Sequence, residues 1–344
     1  MKILDTTIRD GSYAVDFNFS CSDVKNISSK LEEMGLELIE IGHGMGLHAS
    51  SPTNGLCAQT DEEYMLAAKD VLTKSKFGMF CIPGIARLED LQLASDCGAS
   101  FIRVGVNADK IPLTEPYIRE AKDLGFMVMT NYMKSYVLNP EEFAQNVMLS
   151  EKYGADCVYI VDSAGSMFPN EIKKYYDAVR ENSEIQLGFH GHNNLGLAVT
   201  NSVYCAHLGF DFIDCSLQGL GRSSGNASTE MVMAILDKHG YQSDIDLVDL
   251  FSAGYDLLRP ITDKELTDPF DYVCGYAGFH TSYLKSINKC AAEFDVNPYQ
   301  LIIEYSKYDQ ANMDYNKLCS IARTMQKNSQ PRNTDNHLCS NCAT

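Results

Sequence analysis

A chain of 344 residues with 45% hydrophobic content is long enough to bury one full core, as in a single α/β barrel with an extension. A net charge of −18 turns it away from nucleic acid and anionic membrane surfaces. It does not exclude a small anionic substrate, which needs only a local positive centre. No uncharged apolar run is long enough for a membrane-spanning helix, which needs about 18 residues.

The opening Met1-Lys2-Ile3-Leu4-Asp5 has no apolar signal core, so a cytoplasmic location is expected. The twelve cysteines are then expected to be reduced and mostly buried. Lys2–Thr7 is the first of a series of short β-rich runs. Leu36–Gly42, Phe77–Ile82, Phe101–Val106, Phe126–Tyr132, Cys157–Asp162, Ile185–His190 and Phe212–Leu217 follow it. The stretches between them read as helices. One runs from Ser22 as cap through Glu33, with Gly35 as its stop; others cover Glu89–Ser95 and Thr114–Leu124, and Pro140 opens another. Gly98, Gly125, Gly154 and Gly209 each end a helix just before a strand.

This alternation predicts parallel strands with right-handed crossovers. Eight such units favour a closed (β/α)8 TIM barrel over an open doubly wound sheet, with the barrel spanning residues 1–245. Beyond it the rhythm changes. Leu247–Leu258, Tyr283–Phe294, Pro298–Tyr305 and Tyr315–Gln326 predict a small helical C-terminal region over 246–326. The polar stretch 327–344 reads as a disordered tail, and its Cys339-x-x-Cys342, with His337 nearby, as incidental thiols rather than a zinc site.

An α/β barrel carries its active site at the C-terminal ends of its strands. Those ends are Arg9-Asp10-Gly11-Ser12-Tyr13, Glu40-Ile41-Gly42-His43-Gly44, Asp162-Ser163-Ala164-Gly165, His190-Gly191-His192 and the loop Gly219 to Asn226. Residues i and i+2 of a strand share a face. His190 and His192 can therefore converge on one ion if the strand continues through them, and Asp10 supplies a carboxylate. Such a set suits Mn²⁺, Mg²⁺ or Zn²⁺. Arg9 beside it is a fixed donor for an oxygen that becomes negative, unless it merely pairs with Asp162 or Glu40. Ser163 and Asn226 are candidates for holding a substrate carboxylate or supporting a ligand. Gly219–Gly225 lacks the Lys-Ser/Thr of a phosphate loop and reads as a tight turn.

Together, Leu4 through Ser12, His190-Gly191-His192-Asn193, and Gly219-Leu220-Gly221 with Gly225-Asn226-Ala227 resemble the DRE-TIM metallolyase superfamily. Within it the chain resembles the 4-hydroxy-2-oxoacid (4-hydroxy-2-oxovalerate) aldolases. Matching segments are Ile39 through Leu47, Pro83-Gly84-Ile85, Asp162 through Gly165 and Gly275-Tyr276-Ala277-Gly278. The resemblance runs from residue 1 to about 325. It implies a carbon–carbon lyase working through a metal-bound pyruvate enolate, with Mn²⁺ expected first and Mg²⁺ or Zn²⁺ as alternatives. Arg9 would stabilise the enolate, and Arg9, His43, Ser163, His190 and Asn226 would surround a small 2-oxoacid and its aldehyde. It also implies a second copy of the chain, or an acylating aldehyde dehydrogenase, as partner of the C-terminal region.

Two residues depart from the pattern. The aldolases have His as base after Arg-Asp-Gly-Ser, where this chain has Tyr13; they have Tyr two residues after Gly-Tyr-Ala-Gly, where it has His280. The exchange suggests His280 as acid–base residue with Tyr13 as its partner, or a pocket altered for another substrate. Two other readings compete. One is a Claisen-type synthase joining an acyl-CoA to a 2-oxoacid on the same metal site; the other is an inactive barrel kept as a binding partner. The glycine-loop cysteine of the acyl-CoA lyases is absent from 219–226.

Overall fold

The protein is described by a computed structural model covering residues 1–310 and 312–329. Cys339, Cys342 and His337 lie outside the described residues, as does nearly all of the expected tail. Eight parallel strands close into a barrel in sequence order. They are β1 (Lys2–Asp5), β2 (Leu38–Ile41), β3 (Lys76–Cys81), β4 (Phe101–Asn107), β5 (Met127–Met133), β6 (Cys157–Asp162), β7 (Gln186–Gly191) and β8 (Phe212–Cys215). Each of the eight predicted runs matches one of them to within two residues at either end. The first stops two residues short of Thr7, because the Asp5 carboxylate accepts the Thr7 N–H and hydroxyl, each at 2.9 Å, and bends the chain away.

The surrounding helices are α1 (Cys21–Glu33), α2 (Asp61–Val71), α3 (Leu88–Cys97), α4 (Glu115–Asp123), α5 (Pro140–Tyr153), α6 (Pro169–Arg180), α7 (Ala198–Leu208) and α8 (Thr229–Lys238). The cap of α1 is Ser20, not Ser22. Its hydroxyl accepts the Asp23 N–H at 3.2 Å while Asp23 accepts the Ser20 N–H at 2.8 Å, a reciprocal capping box. Pro140 stands in the first turn of α5, and Gly154 ends that helix at φ 110°, which a side chain would strain.

Alternation along the strands builds the barrel interior in layers. Leu4, Leu38, Phe101, Met129, Cys157 and Phe212 form an apolar floor. Two residues further along, on the same inward face, come Glu40, Arg103 and Asp214, all buried. Gly188 makes room among them: a Cβ there would lie 2.4 Å from the Tyr159 ring.

The compact unit holding the barrel runs from Met1 to Thr267. It takes in α9 (Leu247–Leu258), which the sequence pattern assigns to the C-terminal region. That helix packs on α1 and α8, burying Leu250, Phe251 and Leu258. The second unit begins at Asp268 and contains α10 (Pro269–Ala277), α11 (Leu284–Phe294), α12 (Pro298–Ser306) and α13 (Tyr315–Ser329). The pattern did not single out α10; Pro269 stands in its first turn, and Asp268 accepts the Phe270 N–H at 2.8 Å. Among the described residues no helix is long and apolar enough to cross a membrane.

Candidate active site

Asp10 starts the short helical turn after β1, and its carboxylate is fully engaged. Oδ1 accepts from Arg9 Nη1 at 2.7 Å, while Oδ2 accepts from Asn226 Nδ2 at 2.9 Å and the Arg222 N–H at 3.2 Å. Burial alone would raise its pKa. Arg9, both histidines and the Asn226 amide outweigh that and hold it well below the usual carboxylate range.

His190 is near the end of β7. Just past it His192 stays extended, its N–H donating to the Asp162 carbonyl at 3.1 Å and its backbone bridging to Asn226. The i, i+2 condition is therefore met. Potential ligand atoms of Asp10, His190 and His192 all lie within 4.8 Å of one another. His190 Nδ1 meets Asp214 Oδ2 at 2.8 Å, which places the ring proton there and leaves Nε2 with a free lone pair. Burial, against the pull of Asp10, lowers His192 to about 4, so its imidazole is neutral at physiological pH. Among the described residues, His192 Nδ1 and Asn226 Oδ1 are buried with no hydrogen-bond partner. Two imidazoles that can offer lone pairs, an ionised carboxylate and two unsatisfied polar atoms fit a divalent cation.

Arg9 makes one of the ion pairs weighed for it, with Glu40. Nε donates to Glu40 Oε2 at 2.7 Å, and the guanidinium lies 4.8 Å over the Phe80 ring. Nη2 is left free of protein partners among the described residues, and Arg9 lines the cavity. Asp162 is occupied elsewhere, accepting the N–H groups of Ser166 and Met167.

Beneath the trio lies a network that sequence reasoning missed. Arg103, fully buried, donates to Glu40 Oε2 at 2.8 Å and to Asp214 Oδ2 at 2.6 Å, with Tyr159 stacked 4.3 Å away. Glu40 thus holds Arg9 and Arg103 together, and Asp214 holds Arg103 and His190. The signal was present: Arg103 and Asp214 are lone charges inside otherwise apolar strands, and such groups are buried only when paired.

The cavity above has a volume of about 510 Å³, within the range of pockets that hold drug-sized ligands, about 300–1,000 Å³. Tyr13 lines it beside the trio; the Arg222 guanidinium sits 5.0 Å over the Tyr13 ring, and Gly44 leaves the space the ring fills. Ser163 lines it as well, its hydroxyl accepting the Lys134 N–H at 2.9 Å. Asn226 lies behind Asp10 and steadies it rather than facing the cavity. His43 is not among the lining residues. Its Nδ1 accepts the Met45 N–H at 3.0 Å, its Nε2 meets the Gly55 carbonyl at 3.2 Å, and Phe17 stacks on the ring at 4.1 Å. With both nitrogens spent on backbone, His43 shapes the β2 loop. His280 belongs to the second unit, where its Nδ1 is 2.9 Å from the Ser282 hydroxyl and the residue is exposed.

The HMGL-like family matches residues 1–256. The chain belongs to that family. A 4-hydroxy-2-oxovalerate aldolase of Carboxydothermus hydrogenoformans is 34% identical over 95% of this chain and 98% of its own. Another, from Nocardia farcinica, is 37% identical over 89% of each. Among solved structures, the N-terminal domain of a putative aldolase from Bacteroides vulgatus superposes with a TM-score of 0.68 at 23% identity, covering 93% of this chain and 100% of that one. An HMG-CoA lyase from Brucella melitensis gives 0.64 at 20%, covering 76% and 99%. These two likenesses concern the fold.

Proposed function

We propose that this chain is a divalent-metal-dependent aldolase that cleaves or forms a 4-hydroxy-2-oxoacid, with pyruvate as one product or substrate. The observation that carries this is one cavity in which the Asp10, His190 and His192 cluster lies beside the free Nη2 of Arg9. Relatives aligned over nearly their whole length and bearing the aldolase name support it. A bound ion, Mn²⁺ first and Mg²⁺ or Zn²⁺ as alternatives, would supply Lewis-acid polarisation of the 2-keto oxygen.

The chain's own residues do the rest. Arg9, clamped by Glu40 and Asp10, donates Nη2–H to the oxygen that gains negative charge. In the cleavage direction the 4-hydroxyl proton leaves to a base, and His280 is the candidate that the sequence offers for it. The C3–C4 bond then breaks, its electron pair passes into the pyruvate enolate and the aldehyde departs. Protonation at C3 completes pyruvate. The observation favouring His280 is the His/Tyr exchange against the aldolase pattern. Retention of turnover in both His280→Ala and Tyr13→Phe would overturn that assignment. A cytoplasmic setting agrees with ten described cysteines that are all free thiols. The second unit is the region offered to a second copy or an acylating aldehyde dehydrogenase.

The decisive measurement is methyl-proton exchange of pyruvate in D₂O, followed by NMR with Mn²⁺, Mg²⁺ or Zn²⁺ added. Exchange is expected with at least one ion and is lost in Asp10→Ala. No exchange with any of the three overturns the aldolase reading.

A further inference from the structure

The cavity is wider than the metal cluster, and its far wall has its own character. Asn107 at the end of β4 and Asn131 on β5 share the inward faces of Phe101 and Met129 and line the cavity, as does Ser163 just past β6. Asn131 is buried, yet its carboxamide has no hydrogen-bond partner among the described residues. Beside it stands Lys134, which also lines the cavity and forms no ion pair among the described residues. Its backbone is left-handed, with φ 59°, held there by the Ser163 hydroxyl. A lysine in that conformation is strained unless its surroundings enforce it, and such outliers gather at ligand sites.

The opposite rim adds Arg222, which no carboxylate neutralises among the described residues. Its loop is steadied by Lys264, whose Nζ donates to the Gly221 carbonyl at 2.9 Å. By contrast Arg9, Arg87, Arg103, Arg119 and Arg180 all face carboxylates. The described lining holds three cations and a single acid, Asp10, which Arg9 already engages. This occurs in a chain with 46 acidic and 28 basic residues. The 2-oxoacid carboxylate has its place near the metal cluster on the β1, β7 and β8 side. The β4–β6 wall, across the barrel from β1, is left with uncommitted amides and an uncommitted ammonium.

We infer that this wall is a second anion subsite, built from Lys134, Asn131 and Asn107, with Arg222 at the mouth. The aldehyde half of the substrate then carries a carboxylate or a phosphate monoester. This rests on the aldol reading above. In the condensation direction, pyruvate C3 loses a proton and bonds to the aldehyde carbon, and the aldehyde oxygen takes up a proton; the anionic group binds without reacting.

The test compares kcat/KM for condensation of pyruvate with propanal, succinic semialdehyde and glyceraldehyde 3-phosphate, using Mn²⁺-loaded protein. At least one charged aldehyde is expected to exceed propanal by about tenfold or more, and Lys134→Gln to cut the charged-to-neutral ratio by a similar factor. Whichever charged aldehyde leads tells carboxylate from phosphate. A wild-type ratio near unity, or one unmoved by Lys134→Gln, overturns the subsite. Calorimetric binding of succinate and glycerol 3-phosphate to wild type and Lys134→Gln adds a readout that needs no turnover. Pyruvate exchange without charge selectivity removes the subsite and leaves the aldolase standing; Lys134-dependent anion binding without exchange does the reverse.

Discussion

Replacing Arg103 by Met tests whether the buried network beneath the site holds it together. The wild-type guanidinium is fully buried and makes two charge-assisted hydrogen bonds, at 2.8 Å to Glu40 and 2.6 Å to Asp214. Met roughly keeps the volume and removes both. Glu40 keeps only Arg9, and Asp214 keeps only His190. Removing one partner of a buried charge pair costs about 3–5 kcal/mol, because the remaining charges stay desolvated. At about 2 °C per kcal/mol for a large domain, the melting temperature should fall by about 6–10 °C, read by circular dichroism at a fixed scan rate. Pyruvate exchange should fall with it, since Arg9 and His190 lose their common brace. Arg103→Lys should recover only part of either, because one ammonium cannot span both carboxylates as the planar fork does. An Arg103→Met protein that melts like wild type and exchanges pyruvate at the same rate would refute the reasoning.

Stability should also depend on pH through Asp5 and Glu230. Burial raises Asp5 from 3.8 to about 7 and Glu230 from 4.5 to about 7, so the folded state holds their protons more tightly than the unfolded chain. Their contribution is complete below about pH 4 and is lost as pH rises through about 7, up to about 4 kcal/mol for Asp5 on its own. Asp5→Asn, whose side-chain oxygen can still accept the Thr7 N–H, should flatten that slope in urea titrations between pH 5 and pH 8; an unchanged slope would count against it. Asn226→Ala should weaken Mn²⁺ binding by about 10–100-fold in calorimetry, because Asp10 loses the 2.9 Å bond that orients it. Equal affinity would mean Arg9 and the Arg222 amide suffice.

The barrel was legible because each strand carries its own apolar run and each helix its own stop, so closure needed no long-range information. Errors came where side chains act locally on the backbone, as with Asp5 bending β1 at Thr7 or Ser20 displacing Ser22 as cap. The clustering of Asp10, His190 and His192 was legible through the i, i+2 rule and the expectation that polar residues gather at one rim. Arg103 escaped because its partners are 63 and 111 positions away and meet it only once the sheet closes. His43 could be read as a rim residue, but not that the backbone of Met45 and Gly55 would occupy both its nitrogens. The division at Thr267 was hidden because the helices on either side of it carry similar amphipathic patterns.

The charged layer around Arg103 has a consequence for the order of events. With neutral imidazoles, as metal ligation requires, the carboxylates of Asp10, Glu40 and Asp214 outnumber the guanidiniums of Arg9 and Arg103 by one. Taken by itself, that buried layer is therefore slightly repulsive to a 2-oxoacid. A divalent ion held by Asp10, His190 and His192 would reverse its sign, and a monocarboxylate would then bring it to neutrality. Under the proposed function the barrel interior would act as an electrostatic gate, with pyruvate affinity expected to be weak until the cation has arrived.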